Sequence, residues 1–418
     1  MMLSEILLSN DQEDAISRLY EHNATILVAA TGVGKTVICQ TAIKELQGNF
    51  VTKAIVAAPA KVVENSVWFN EAAKWEHLCH LKVCELKGDA VARTELLKQD
   101  ADVIVVSLNN LDWLLQQDHG ADGIIVDELS KAAGKQTAKL KSKKWGGCFK
   151  WRVGMTATPV SQNFEKLYPM CRIIDGGAAL GTNKSKYLSN YFYSDYMGYN
   201  WTLKDGAEVE ITKKIASLVY LVDDNKADTL PELTETLIRF DMPATTREVY
   251  NEMKKHMVVG DVEAANEAVK SGKLRQIASG FMYEDEEVHH LDGARVTAAT
   301  KWCGALGGKP GLIFYEFVEH GHRLSNFVGS NIKLAQINSM SHGVDGLQHQ
   351  FADLLFYHPV WSRDAYEQAI GRVWRQGQEK PVSVTTLVCN DTLDDVVLAR
   401  VDGRGEWMKL FKQHLMGA

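Results

Sequence analysis

Ala29-Ala30-Thr31-Gly32-Val33-Gly34-Lys35-Thr36 is the stretch that decides how the rest of this chain is read. It follows an apolar run, Ala24 to Ala30, and a helical pattern opens at Lys35. A small residue, four free positions and then Gly-Lys-Thr, set between a buried strand and a helix, is the pattern of a phosphate-binding loop. Glycines let backbone N–H groups close around phosphate oxygens at a helix N-terminus, where the helix dipole favours negative charge. On this reading Thr31, Gly32 and Gly34 line the loop. Lys35 reaches the β- and γ-phosphates of a nucleotide, and the Thr36 hydroxyl is offered to Mg2+.

Outward from the loop, short apolar, β-branched runs alternate with helical patterns: Ala54 to Ala58, Asp102 to Ser107 and Gly123 to Val126. That alternation predicts a parallel sheet with helices on both faces over residues 1–175. Residues 176–300 are more polar and dotted with aromatics, largely helical from Thr245 to Phe281, and read as a helical insertion. Over 301–418 the alternation returns, with Leu312 to Tyr315, Lys333 to Asn338, Leu354 to His358 and Val382 to Val388 as candidate strands. The expected fold class is α/β, two lobes of parallel sheet separated by a helical region.

Two further groups complete a nucleotide chemistry. Gly123-Ile-Ile-Val-Asp127-Glu128 ends a strand in two carboxylates, at the strand end where parallel sheets bind ligands. Asp127 is the candidate Mg2+ ligand and Glu128 the candidate base for the attacking water. A second acidic pair, Asp285-Glu286, lies in a polar stretch and reads as solvated surface. In the second lobe, Gln368-Ala-Ile-Gly-Arg372-Val-Trp-Arg375-Gln-Gly377-Gln378 reads as a helix. Arg372 and Arg375, three apart, would then share one face and clamp a γ-phosphate. The plainer reading of that helix is an exposed face with two salt-bridged arginines.

With 418 residues the chain is long enough for two domains, and 45% hydrophobic with 24% charged residues is ordinary for a globular protein. No apolar run is long enough to cross a bilayer, and Met1 to Asn10 lacks the basic start and cleavage site of a signal peptide. Seven scattered cysteines with no Cys-x-x-Cys pair suit free thiols in a reducing cytoplasm. The net charge of −7 does not favour a passive nucleic-acid binder. One basic track exists, however. Lys131, Lys135, Lys139, Lys141, Lys143, Lys144, Lys150 and Arg152 run without an intervening acid, either as a solvated loop or as a nucleic-acid face. His77, Cys79, His80 and Cys84 alternate on a short strand and cannot all face one ion, so they read as packing. His289, His290, His320 and His322 sit in polar stretches and are expected to be solvated. The ten tryptophans read mostly as core, with Trp113, Trp145, Trp151 and Trp374 as the alternatives for touching bases or sugars.

Taken in order, these motifs resemble superfamily 2 helicases, and within them the Swi/Snf-type DNA translocases, especially the compact versions of bacteriophages. Gln12 stands where the family places a glutamine that reads adenine. Pro59 and Lys61, with Trp68, Glu71 and Trp75, look like a motif that meets the nucleic-acid backbone, and Ser107 with Asn109 looks like the next. Asp127-Glu128-Leu129-Ser130 is similar to the family's acidic box, and Lys131 beside it then faces DNA. Thr156 and Thr158 in Gly154-Met155-Thr156-Ala157-Thr158-Pro159 match the motif linking hydrolysis to nucleic-acid grip. Leu274-Arg275-Gln276 resembles the element before the second lobe. Ser339, Gly343, Gly346, Leu347, Gln348, Ala352 and Asp353 follow the spacing of the motif before the arginines. In that region the likeness puts Ser339 on the nucleic-acid side and Gly343, Asp345 and Gln368 on the nucleotide side.

The resemblance implies two RecA-like P-loop NTPase lobes using ATP and Mg2+ to track along DNA, duplex favoured over single strand. A phage or host replication or recombination protein is the implied partner, in the host cytoplasm. Two rivals stay open: a strand-separating or branch-remodelling helicase, and an ATP-dependent recruitment module with little turnover. The sequence departs from the family in two places. The stretch from Phe314 to Ser339 is short, so the second lobe is expected to be abridged, and Ser341-His342 replaces the frequent Lys-Ala.

Overall fold

The computed structural model describes residues 3–30, 32–132, 140, 148–157, 159, 164–196, 201–222, 230–256, 258–259, 262–263, 267–284, 287–337, 346–375 and 377–399. These fall into two compact units that divide within 223–229. The first is built on a seven-stranded sheet in the order β3-β4-β2-β5-β6-β1-β9. Its strands are β1 (Ala24–Val28), β2 (Ala54–Ala58), β3 (Val83–Glu85), β4 (Val103–Ser107), β5 (Gly123–Val126), β6 (Trp151–Thr156) and β9 (Val219–Leu221). Every pairing in it is parallel.

The sheet is buried on both faces, which is why its strands are unbroken apolar runs. Alternate residues feed two separate cores. Ile26, Ile104 and Ile124 face one, while Leu27, Val105 and Ile125 face the other. The second core is closed by α1 (Asn10–Glu21), α2 (Lys35–Leu46), α3 (Ala60–Glu64) and α4 (Val67–Ala72). Because all strands run one way, every loop leaving a strand's carboxyl end reaches the same edge. Read across β4-β2-β5-β6-β1, that edge carries Ser107, Pro59, Asp127-Glu128, Thr156 and the phosphate loop.

The second unit holds a five-stranded, all-parallel sheet in the order β10-β18-β17-β15-β16. Its strands are β10 (Leu233–Phe240), β15 (Gly311–Tyr315), β16 (Ile332–Gln336), β17 (Asp353–Phe356) and β18 (Val382–Cys389). Helices α6 (Ala294–Ala305) and α7 (Val318–Ser325) pack on one face, and α8 (Arg363–Ile370) on the other. Preceding them, α5 (Glu267–Ala278) leads into the hairpin β13 (Phe281–Glu284) and β14 (Glu287–His290). The protein is thus an α/β chain of two RecA-like lobes.

The stretch 176–300, expected to be a helical insertion, is shared between the units and carries strands of both. Among the described residues it holds, besides the β13–β14 hairpin, β7 (Phe192–Ser194) with β8 (Trp201–Leu203) and β11 (Val258–Val259) with β12 (Val262–Glu263). β9 extends the first sheet beside β1, and β10 forms the edge of the second beside β18. Neither has the signature of a central strand: β9 is three residues long and β10, Leu-Thr-Glu-Thr-Leu-Ile-Arg-Phe, is mostly exposed. Between Phe314 and Ser339 the described residues hold one helix and one strand, α7 and β16, and the second sheet has two strands fewer than the first.

Candidate nucleotide site

The loop between β1 and α2 is shaped by its glycines. Gly32 and Gly34 have φ of 86° and 87°, a region closed to most side chains. A Cβ at Gly34 would also lie 2.5 Å from the Gln12 amide nitrogen. Gly34 is the N-cap of α2, so no side chain caps the helix, and no acid stands in its first turn. Its leading N–H groups are therefore suited to an anion. The Lys35 ammonium folds over the loop and donates to the carbonyls of Ala29 and Ala30, both at 2.9 Å.

Gln12 meets this loop through its backbone. Its amide Nε2 donates to the Val33 carbonyl at 2.7 Å, and its Oε1 accepts from the Ser9 N–H at 2.9 Å in a capping box at the start of α1. The side chain braces α1 against the loop, a use beside the adenine contact that the resemblance implies.

At the end of β5, Asp127 and Glu128 sit at the same edge as Lys35. Burial and the neighbouring Glu128 charge push the Asp127 carboxyl up to about 6, against the opposing pull of Lys35 and the Trp68 indole. Lys35 and Asp127 thus lie close enough to feel each other's charge. Glu128 has φ of 56°, a left-handed backbone in a residue other than glycine. Such strain persists only where the surroundings hold it, and it turns Glu128 sharply off the strand before the short helix Leu129–Ala132. Mg2+ bound with phosphates needs only one or two protein oxygens beside them. One carboxylate and the Thr36 hydroxyl at one sheet edge fit that demand.

The residues expected to touch nucleic acid divide. Lys131 and Asn109 are exposed and Pro59 and Lys61 partly so, whereas Ser107 and Thr156 are buried at their strand ends. Trp68, Glu71 and Trp75, named with the same motif, are engaged in contacts within the first unit. Trp68 is fully buried, and the Trp75 indole donates to Glu71 at 3.0 Å. Trp151 is also buried, bonded to the Leu19 carbonyl at 2.9 Å. Of the basic run, Lys150 pairs with Asp122 at 2.9 Å and Arg152 bonds the Phe149 carbonyl, both at the sheet's amino edge and away from the loop. The rest of that run from Lys135 to Lys144 lies outside the described residues, as do Trp145, Thr31, Thr158, Asp285, Glu286, Ser339, Ser341, His342, Gly343 and Asp345. His77 is engaged with Thr41 at 2.8 Å, while Cys84 is buried and Cys79 exposed.

In the second unit the arginines are not on a helix. α8 ends at Ile370, and 371–375 form successive turns, with Trp374 N–H bonded to the Ile370 carbonyl at 2.8 Å. Gly371 ends the helix and Gly377, at φ 90°, turns the chain away. Arg372 and Arg375 are partly exposed, and Gln368 is buried on α8. The Trp374 indole donates to the Pro231 carbonyl at 2.7 Å.

His320 is likewise not solvated. It is fully buried and packs edge-on against Phe281, Phe317 and Tyr357, with His358 beside it. Around them, Arg275 bonds Glu316 at 2.6 Å and Arg295 bonds Asp394 at 2.5 Å. These charges join α5, α6 and the sheet.

The SNF2-related domain model matches residues 10–292, well over half of the chain. The p41 protein of Acyrthosiphon pisum secondary endosymbiont phage 1 is 28% identical over 92% of this chain and 93% of its own length. A DNA repair and recombination protein, RAD54-like, from Drosophila ananassae is 23% identical over 96% of this chain, which spans 62% of that protein. The solved Sulfolobus solfataricus SWI2/SNF2 ATPase core in complex with dsDNA is 18% identical, with a TM-score of 0.46 over 98% of this chain and 94% of that one. With a phosphate loop, an acidic strand end and a domain match spanning both, this chain belongs to the SNF2-related family.

Proposed function

We propose that this protein is a DNA-dependent ATPase that uses ATP and Mg2+ to translocate along duplex DNA and remodel DNA or protein–DNA complexes. The observation that carries the reading is the meeting of Lys35 with Asp127 and Glu128 at one sheet edge, within a loop shaped for phosphate. The family match and the DNA-acting relative support the choice of DNA as the track.

In this reading Lys35 exchanges the carbonyls of Ala29 and Ala30 for β- and γ-phosphate oxygens, and the α2 amides hold the phosphate chain. Thr36 and Asp127 hold Mg2+, which when bound supplies Lewis-acid polarisation of the phosphates. Glu128, held off its strand, takes a proton from the attacking water. For Arg372 and Arg375 the proposed role is the one the family resemblance implies, neutralising charge that develops on the γ-phosphate, a kind of contribution worth orders of magnitude in rate. The exposed Lys131 and Asn109 and the partly exposed Lys61 are the proposed contacts to DNA in the first unit. A replication or recombination protein of phage or host, in the host cytoplasm, is the proposed partner.

Steady-state ATP hydrolysis with no nucleic acid, single-stranded DNA, duplex DNA and RNA tests this. Strong stimulation by duplex DNA is expected, with Lys35→Ala and Glu128→Gln each lowering turnover by on the order of 10^3-fold or more. Stimulation chiefly by single strands replaces it with the strand-separating reading. Nucleotide binding without turnover under any condition leaves the recruitment module.

A further inference from the structure

We propose that Trp68 is a positioning residue that fixes the Asp127 carboxylate, and the Mg2+ it holds, at a set place relative to the phosphate loop. This rests on the reading of Asp127 as the Mg2+ ligand. Trp68 is fully buried on α4, and its indole Nε1 donates to Asp127 Oδ2 at 3.4 Å. Its own carbonyl accepts from Gln40 Nε2 at 2.7 Å. Gln40 is itself fully buried on α2, the helix that begins with Lys35 and Thr36. Two hydrogen bonds therefore tie the helix of the phosphate loop to the carboxylate at the end of β5, a strand separated from β1 by β6.

The turn that aims the indole is itself held. Ser66, between α3 and α4, has φ of 52°, and Lys87 Nζ bonds its hydroxyl at 2.5 Å and the Glu64 carbonyl at 3.4 Å. Chemistry suits the role as well. An indole N–H is a donor only, so it orients a carboxylate without competing for the cation. Trp151 and Trp374 donate to backbone carbonyls and Trp75 to Glu71, whereas the Trp68 indole reaches the proposed Mg2+ ligand.

The test measures binding of a fluorescent ADP to the full chain, with Mg2+ and with EDTA, so that no turnover is needed. Groups that orient metal ligands typically matter 10–100-fold for metal affinity. Trp68→Phe is therefore expected to cut the Mg2+-dependent gain in nucleotide affinity by about tenfold, leaving the affinity in EDTA within about twofold. Should the smaller ring unfold the lobe, 3-benzothienylalanine at position 68 keeps the ring volume without the N–H, and the same loss is expected. An unchanged Mg2+-dependent gain in either folded variant overturns the proposal. Asp127→Asn separates the two readings. If it erases the gain while the Trp68 variants keep it, only the positioning role falls. If the gain survives Asp127→Asn, or is absent from the unsubstituted protein, the site reading falls and takes this role with it.

Discussion

The two units treat buried charge in opposite ways. In the first, the crowded charge is Asp127, half-buried beside Glu128 at the end of a strand, with Lys35 close by and one indole donor. In the second, the buried cations are closely paired. Arg295 and Asp394 are 1% and 3% exposed at 2.5 Å, and Arg275 and Glu316 stand at 2.6 Å beside His358. A carboxylate crowded by burial and a like charge is costly to the fold and poised for a cation. A paired network answers its charges internally and joins α5, α6, β17 and β18. The first unit thus accepts local instability at its candidate site, and the second uses its polar interior for cohesion.

The sharpest way to break this comparison is Arg295→Met. It leaves Asp394 buried without its cation, which is expected to destabilise the second unit by about 3–5 kcal/mol. Hydrogen exchange read by mass spectrometry should show that loss in 233–240 and 382–389 and leave the first sheet protected. Adding Asp394→Leu, which removes the stranded charge, should recover most of it. A loss spread evenly over both units would end the distinction.

Acid should separate the units next. Burial, followed by the surrounding cations, holds His320 well below its ordinary value, and burial with Arg275 does the same for His358. Both bind protons more readily when unfolded. Their contribution is therefore intact above about pH 6.5 and is lost as pH falls below it, by up to about 1.4 kcal/mol per pH unit for each. Exchange protection at pH 5 should fail in the second unit first. Failure of the first unit at a higher pH than the second would reverse the ranking.

The smallest effect is expected at Asp127. Its folded value near 6 lies above the unfolded one, so the protonated form suits the fold. Stability is full below about pH 4 and is lost as pH rises through 6. Asp127→Asn should consequently stabilise the first unit by roughly 1–2 kcal/mol at pH 7.5, with the gain vanishing near pH 4. Thermal melts without nucleotide or Mg2+ read this directly, and a destabilised Asp127→Asn would contradict the crowding of that carboxylate.

Much of the first unit was legible because its signals are local. Ala54–Ala58 and Gly123–Val126 are apolar runs between breakers, buried on both faces as such runs demand. Gly32 and Gly34 of the phosphate loop have positive φ, a conformation that suits the phosphate-cradling role read from their pattern. Two misreadings and one unforeseen contact share one cause. His320 sits in a polar stretch and Arg372 in a run that reads as helical, while nothing near Trp68 in sequence points to its partner. Their fates were set by partners far along the chain: Asp127 and Gln40 for Trp68, Phe281 and Tyr357 for His320. For Arg372, the helix stops at Gly371 and the turns that follow pack where Gln378 bonds the Phe351 carbonyl.

By itself, the sequence determined the family, the parallel-sheet class and the loop that receives phosphate, because backbone propensity and glycine freedom act over a few residues. Tertiary structure alone decided which polar groups are buried together, where the second sheet gains its edge strand β10, and that a tryptophan on α4 meets the carboxylate of β5. Those outcomes depend on distant segments closing on one another, and desolvation, which sets their energetics, exists only once they have closed.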